Sequence, residues 1–205
     1  MKTFSEKLKQ HWIDTMQDHQ DADRLEQGRW WDNGDKKGCF FGCAMQTDRD
    51  ALQKAIEHMQ LPAWLVHLAE AIFEGLPADD ALLFPVQLLE AIPANTDISE
   101  VMHTIAVKRI EPLIIETNGN GVNNAIQQVI DYHKNTERTE DYRKKVLLAA
   151  NSALSAARSA RSVRSAALSA VYSAVYSSAY SYSAKQSAWQ RERDNLLQAL
   201  KEFKK

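Results

Sequence analysis

Apolar residues recur every four positions at the start of the chain, at Phe4, Leu8, Trp12 and Met16, and this single stripe predicts an amphipathic helix running to about Leu25. The pattern then stops. Residues 27–38 hold three glycines and the pair Asn33-Gly34, a composition that predicts a turning polar loop with a short hairpin in it. Beyond the loop, residues 39–45 read as a short helix, and Thr47 or Asp48 is placed to cap another that reaches about Met59. Pro62 restarts the pattern at a first-turn position, and Trp64, Leu65, Leu68, Ile72 and Phe73 form an apolar face closed by Gly75 and Pro77.

Residues 85–92 read as a further short helix ended by Pro93, with Asp79 and Asp80 as a cap beside a turn and not as an acid/base pair. Asp97 caps a segment in which Ile98, Val101, Met102, Ile105 and Ile110 keep helical spacing, until Pro112 kinks or ends it. Residues 117–121 read as a turn, 122–132 as a helix and 134–139 as a polar link. No segment alternates as a strand should.

From Glu140 onward there is neither Gly nor Pro, and the composition narrows to Ala, Ser, Tyr and Arg. At 100° per residue, Ser152, Ser155, Ser159, Ser162, Ser169, Ser173 and Ser177 share an arc of roughly 100°, so one helical phase persists across the tract. Small side chains on that arc let helix backbones approach closely, which predicts a packing surface. An unbroken helix of this length would extend about 90 Å, about twice the ~43 Å diameter of a compact chain of this size. A bend near Ser177, Ser178, Ser181 and Ser183 is therefore favoured, with an oligomer that covers the face as the alternative. The expected fold class is all-α, a multi-helix bundle with long Ser/Ala-rich C-terminal helices. Its expected division is a helical domain over 1–138, carrying the loop at 27–38, and a Ser/Ala-rich segment over 139–205 that packs on it or on another subunit.

Composition narrows the function. The 25 Lys and Arg residues nearly balance 27 Asp and Glu, for a formal charge of −2, so no global field draws nucleic acid or anionic lipid. No run of about 18 apolar residues is present and the first residues lack a signal-peptide core, so a cytoplasmic protein with no membrane partner is expected. The two cysteines, Cys39 and Cys43, are four residues apart and would share a helix face, which excludes a disulfide framework.

Several short segments are familiar together: residues 28–34 (GRWWDNG), 37–43 (KGCFFGC), 61–65 (LPAWL), 72–77 (IFEGLP) and 91–93 (AIP). In this order they resemble a group of phage and bacterial proteins that set such segments ahead of an Ala-rich helical tail. The resemblance covers most of the chain and implies a phage or mobile-element context, without implying an activity. Where that group often has a His shortly after the second Cys, this chain reads Ala44-Met45-Gln46-Thr47, which weakens a Cys/His pairing there. The tail is also similar to the Ala-rich helices of bacterial immunity proteins.

Chemistry is best sought in the loop. Arg29, Lys36 and Lys37, with glycine amides and a helix N-terminus, form a candidate anion site on which Trp30 and Trp31 could stack a planar ligand. Cys39 and Cys43 would line it. The plainer reading is that one Trp anchors the loop while its charges are solvated. Gly38 sets Cys39 near a helix N-terminus beside Lys36 and Lys37, surroundings that would lower a thiol pKa and make it a weak nucleophile candidate. Burial of both cysteines is the favoured reading, since none of the six histidines has motif spacing to them.

Two cysteines without a paired His are a poor signal for zinc, so no metal and no cofactor are expected. In the tail, Arg158, Arg161 and Arg164 fan over about 120°, a poor stripe for DNA, and nucleic-acid binding is disfavoured. The leading expectation is a non-enzymatic binding or sequestering protein for a small anionic ligand or a host protein. A thiol-dependent enzyme using Cys39, and a structural protein forming homo-oligomers through the Ser/Ala face, are the alternatives.

Overall fold

The computed structural model describes residues 4–114, 120–135, 137–148 and 182–203. The described chain is helical apart from one two-stranded hairpin, as the all-α reading requires. It forms two compact units, residues 1–102 together with 189–205, and residues 103–188. These units break the chain at 102 and 188 and not at residue 138, and residues 189–205 belong with the first. The Ser/Ala face, the bend near Ser177 and the fan of Arg158, Arg161 and Arg164 lie outside the described residues.

In the first unit, α1 (Glu6–Asp21) begins where Ser5 Oγ accepts the amide of Leu8 at 3.2 Å, and it buries Trp12, Met16 and His19. After the loop come α2 (Phe40–Met45), α3 (Ala51–Met59), α4 (Ala63–Gly75) and α5 (Ala78–Ala91). Phe40, Phe73, Phe84, Leu65 and Leu88 fill the core between them. Lys9 Nζ donates to the carbonyls of Glu90 and Ile92 at 2.8 Å each, filling acceptors that the end of α5 leaves open. In the C-terminal helix (Tyr182–Glu202), Leu196, Ala199 and Leu200 are buried, while Gln190 and Arg193 bind the Asp80 carboxylate at 2.6 and 3.0 Å.

Three expectations are corrected here. The helix expected at 85–92 is the second half of α5, which runs through Pro85. Proline removes one amide from the helix ladder, yet Phe84, Pro85, Leu88 and Leu89 are all buried, and their burial outweighs that loss. Asp79 and Asp80 sit inside its first turn, where the helix dipole favours carboxylates, and Pro77 holds the cap position. The third helix starts at Ala51 and not beside Thr47 or Asp48, since the Thr47 hydroxyl is engaged with the backbone of Arg49.

The second unit contains most of α6 (Val101–Ile110), a 3-10 turn at Glu111–Leu113 that includes Pro112, and α7 (Asn120–Lys134). Gly121 is thus helical where a turn was expected. Residues 140–148 are also helical. Ile105, Ala125, Ile130 and Val146 are buried, and Lys134 reaches Glu111 at 2.9 Å. His103 and His133 meet through their Nδ1 atoms at 2.8 Å.

Candidate functional site

The loop after α1 is held by backbone bonds that its glycines make room for. Strands Trp31–Asp32 (β1) and Lys37–Gly38 (β2) pair antiparallel, and Asp32 Oδ1 closes the turn by accepting the amides of Gly34 and Asp35 at 2.7 and 3.2 Å. The Trp30 carbonyl accepts the Cys39 amide at 3.0 Å. It lies so near two glycines that an added Cβ would stand 1.9 Å from its oxygen at Gly38 and 1.6 Å at Gly42. The loop base is also tied to the end of α4, where Gln27 Nε2 donates to the carbonyl of Leu76 at 2.9 Å and the Gly28 amide donates to Glu74 Oε2 at 2.7 Å.

The expected site residues separate in this frame. Trp31 is buried, donates Nε1 to Asn33 Oδ1 at 2.9 Å and meets the ring of His19 edge-on. It anchors the loop. Trp30 instead is 45% exposed. The Arg29 guanidinium stands 3.4, 4.0 and 3.3 Å from the carboxylates of Glu26, Asp32 and Asp35. Lys37 pairs with Asp23 at 3.0 Å, and Lys36 occupies a left-handed turn position with φ 56°. Local carboxylates therefore meet two of the three expected cations, and an anion would have to compete with them.

Both thiols are buried, as the favoured reading had it. The expectation of a lowered Cys39 pKa is reversed. Burial comes first among the causes that raise it, followed by the charge of Glu70 and a hydrogen bond to it, with Glu74 adding to them. Cys43 is pushed up to about 12, chiefly by burial, and its thiol points to the carbonyl oxygens of Gly38 at 3.2 Å and Arg24 at 3.4 Å. Helix α2 has six residues, and its dipole does not offset the desolvation.

Glu70 and Glu74 were missed by the sequence reading. Glu70 falls four residues after Val66 and three before Phe73, on the buried face of α4, and is only 8% exposed. A carboxylate on an apolar stripe was the available signal. Its pKa is raised to about 7, first by burial and further by the charge of Glu74, against opposing hydrogen bonds from Cys39 and the Phe41 amide. Its Oε2 is buried without a hydrogen-bond partner. Burial likewise raises the Glu74 pKa, while the Gly28 amide lowers it. The Cys39 sulfur and one oxygen from each carboxylate lie within 4.8 Å of one another, so these three side chains could hold a metal ion.

A separate cleft of about 280 Å³ is lined mainly by Phe4, Ile56, Leu61, Pro62, Ile92 and Ile98, with Asp97 and Ser99 at its edge. Among the described residues, no helix is long and apolar enough to cross a membrane. No protein family model matches this chain, and no curated protein or solved structure is significantly similar to it.

Proposed function

We propose that this is a non-enzymatic binding protein that grips a protein partner through the loop at residues 27–38, with Trp30 as its anchor. The observation that carries this reading is the contrast within one residue. The Trp30 backbone is clamped by Gly38, Cys39 and Gly42, while the residue as a whole remains 45% exposed. Tryptophan is enriched among the few residues that dominate protein interfaces. A clamped backbone lowers the ordering cost of binding. Arg29 and Lys37 are already paired with carboxylates of the loop region, which favours a protein surface over a free anion as the ligand. The thiol-enzyme alternative loses support from burial of Cys39 beside a carboxylate that opposes its ionisation.

Affinity capture from a bacterial lysate tests the reading, a source suggested by the phage-like segments. A captured protein should be retained by the native chain and lost with Trp30→Ala, while the variant melts within about 1 °C of the native protein, as expected of an exposed position. Equal capture by both proteins, or no capture by either, would overturn it. Thermal shifts with nucleotides, cyclic nucleotides and phosphorylated metabolites should be absent. A shift lost in Arg29→Ala would restore the anionic ligand.

A further inference from the structure

Helix α4 carries Glu70 and Glu74 four residues apart, one turn along one face, and that face meets the start of α2 at Cys39. The three donors differ in surroundings. Cys39 and Glu70 are buried, whereas Glu74 is exposed, so the cluster opens to solvent on one side only. Its members are positioned by the backbone around them. The Cys39 amide is fixed to the Trp30 carbonyl, and the Gly28 amide holds one oxygen of Glu74 at 2.7 Å.

The buried Glu70 is the unusual part. Taking a carboxylate out of water is costly unless charge or hydrogen bonds compensate it. Its Oε2 has no hydrogen-bond partner, and among the described residues no salt bridge reaches it or Glu74. Two acids and a thiol are thus gathered with no cationic side chain of the described residues paired to either acid. A cation supplies what the site lacks.

We propose that Cys39, Glu70 and Glu74 form a binding site for one borderline divalent cation, zinc in the first place, held by the Cys39 sulfur and one oxygen of each carboxylate, with water completing the shell. Tetrahedral donors around zinc stand about 3.5 Å apart, so the present spread of up to 4.8 Å closes with side-chain adjustment alone, most easily at exposed Glu74. The sulfur selects zinc or cobalt over magnesium and calcium, which prefer oxygen alone. Cys43 is not a ligand, because its thiol is turned to the backbone carbonyls of Gly38 and Arg24. The bond from the Cys39 amide to the Trp30 carbonyl is common to this site and to the protein-binding loop, but none of the three donor side chains supports the protein-binding reading.

The full chain, stripped with a chelator, would be titrated with cobalt(II) chloride. A sulfur-to-cobalt charge-transfer band should grow in the near ultraviolet, saturate at one ion per chain and vanish when zinc is added. Cys39→Ser should abolish it. Because that substitution is buried, Glu74→Gln gives a second test at an exposed ligand that can still accept the Gly28 amide. With circular dichroism unchanged, it should weaken zinc at least tenfold, the order seen when a metal's supporting groups are removed. No band, a band that persists in Cys39→Ser, or equal zinc affinity in Glu74→Gln would each overturn the assignment.

Discussion

The indole of Trp189, in the C-terminal helix, lies against the α-carbon of Gly75, the last residue of α4: a Cβ there would stand 2.2 Å from Cε2 and 2.3 Å from Cδ2 and Nε1. A rigid ring against backbone leaves no flexible atom to move aside. Gly75→Ala should therefore destabilise by about 1–3 kcal/mol through overpacking, read from urea unfolding. Gly121→Ala is the contrast, since nothing lies within 4 Å of its Cβ position. That substitution should stabilise by under about 1 kcal/mol through helix propensity. If the two variants behave alike, the Trp189 contact does not hold the terminal helix.

Thiol chemistry gives a second expectation. Cys39 and Cys43 are buried, and a thiol held near 12 presents roughly three-thousandfold less thiolate at neutral pH than an ordinary one near 8.5. Iodoacetamide at pH 7.5 should leave both unmodified in the folded, metal-free protein and label both in urea. Rapid labelling of Cys39 in the folded chain would return the nucleophile reading.

Charge reversal in the loop should cost little. Lys37 and Asp23 are 38% and 83% exposed, so their pair contributes under about 1 kcal/mol. The double variant Lys36→Glu with Lys37→Glu should keep its urea midpoint near that of the native protein. A large loss of stability would mean that the hairpin depends on those cations.

The imidazoles of His103 and His133 share one contact between Nδ1 atoms, where one ring donates and the other accepts, so the accepting ring must be neutral. The His133 pKa is lowered, first by burial, then by His103 and Arg138. A histidine depressed in the folded state binds its proton more readily when unfolded. Its stabilising contribution is therefore full above about pH 6.5 and is lost as pH falls through the lower folded value. His19, also depressed by burial, acts in the same sense, and Glu70, raised to about 7, in the opposite one. Comparing native protein with His133→Gln isolates the pair. The native protein should lose more stability than the variant between pH 7.5 and 5.5, and parallel profiles would contradict this assignment.

Local pattern was enough for much of the architecture. The stripe through Trp12 and Met16 places α1, the glycines and Asn33 place the hairpin, and the plainer reading of the loop, with one Trp as its anchor, matches buried Trp31. Each depends on residues only a few positions apart, and helix periodicity and turn chemistry act at that range. Pro85 shows the limit: locally it argues for a boundary, and only burial of its neighbours against other helices carries α5 through it. Packing of the tail on the N-terminal helices was one of two readings the sequence left open, but that Leu196 and Leu200 make it was not legible in a tract that reads as one compositional block. Glu70 was visible as a carboxylate on an apolar stripe, but its meeting with Cys39, thirty-one positions earlier in the chain, was not. The sequence determined which segments are helical and which faces are apolar, because those follow from neighbours along the chain. Which distant groups share one buried space was decided by tertiary packing, where the summed burial of many side chains outweighs the local cost of a proline or an unpaired carboxylate.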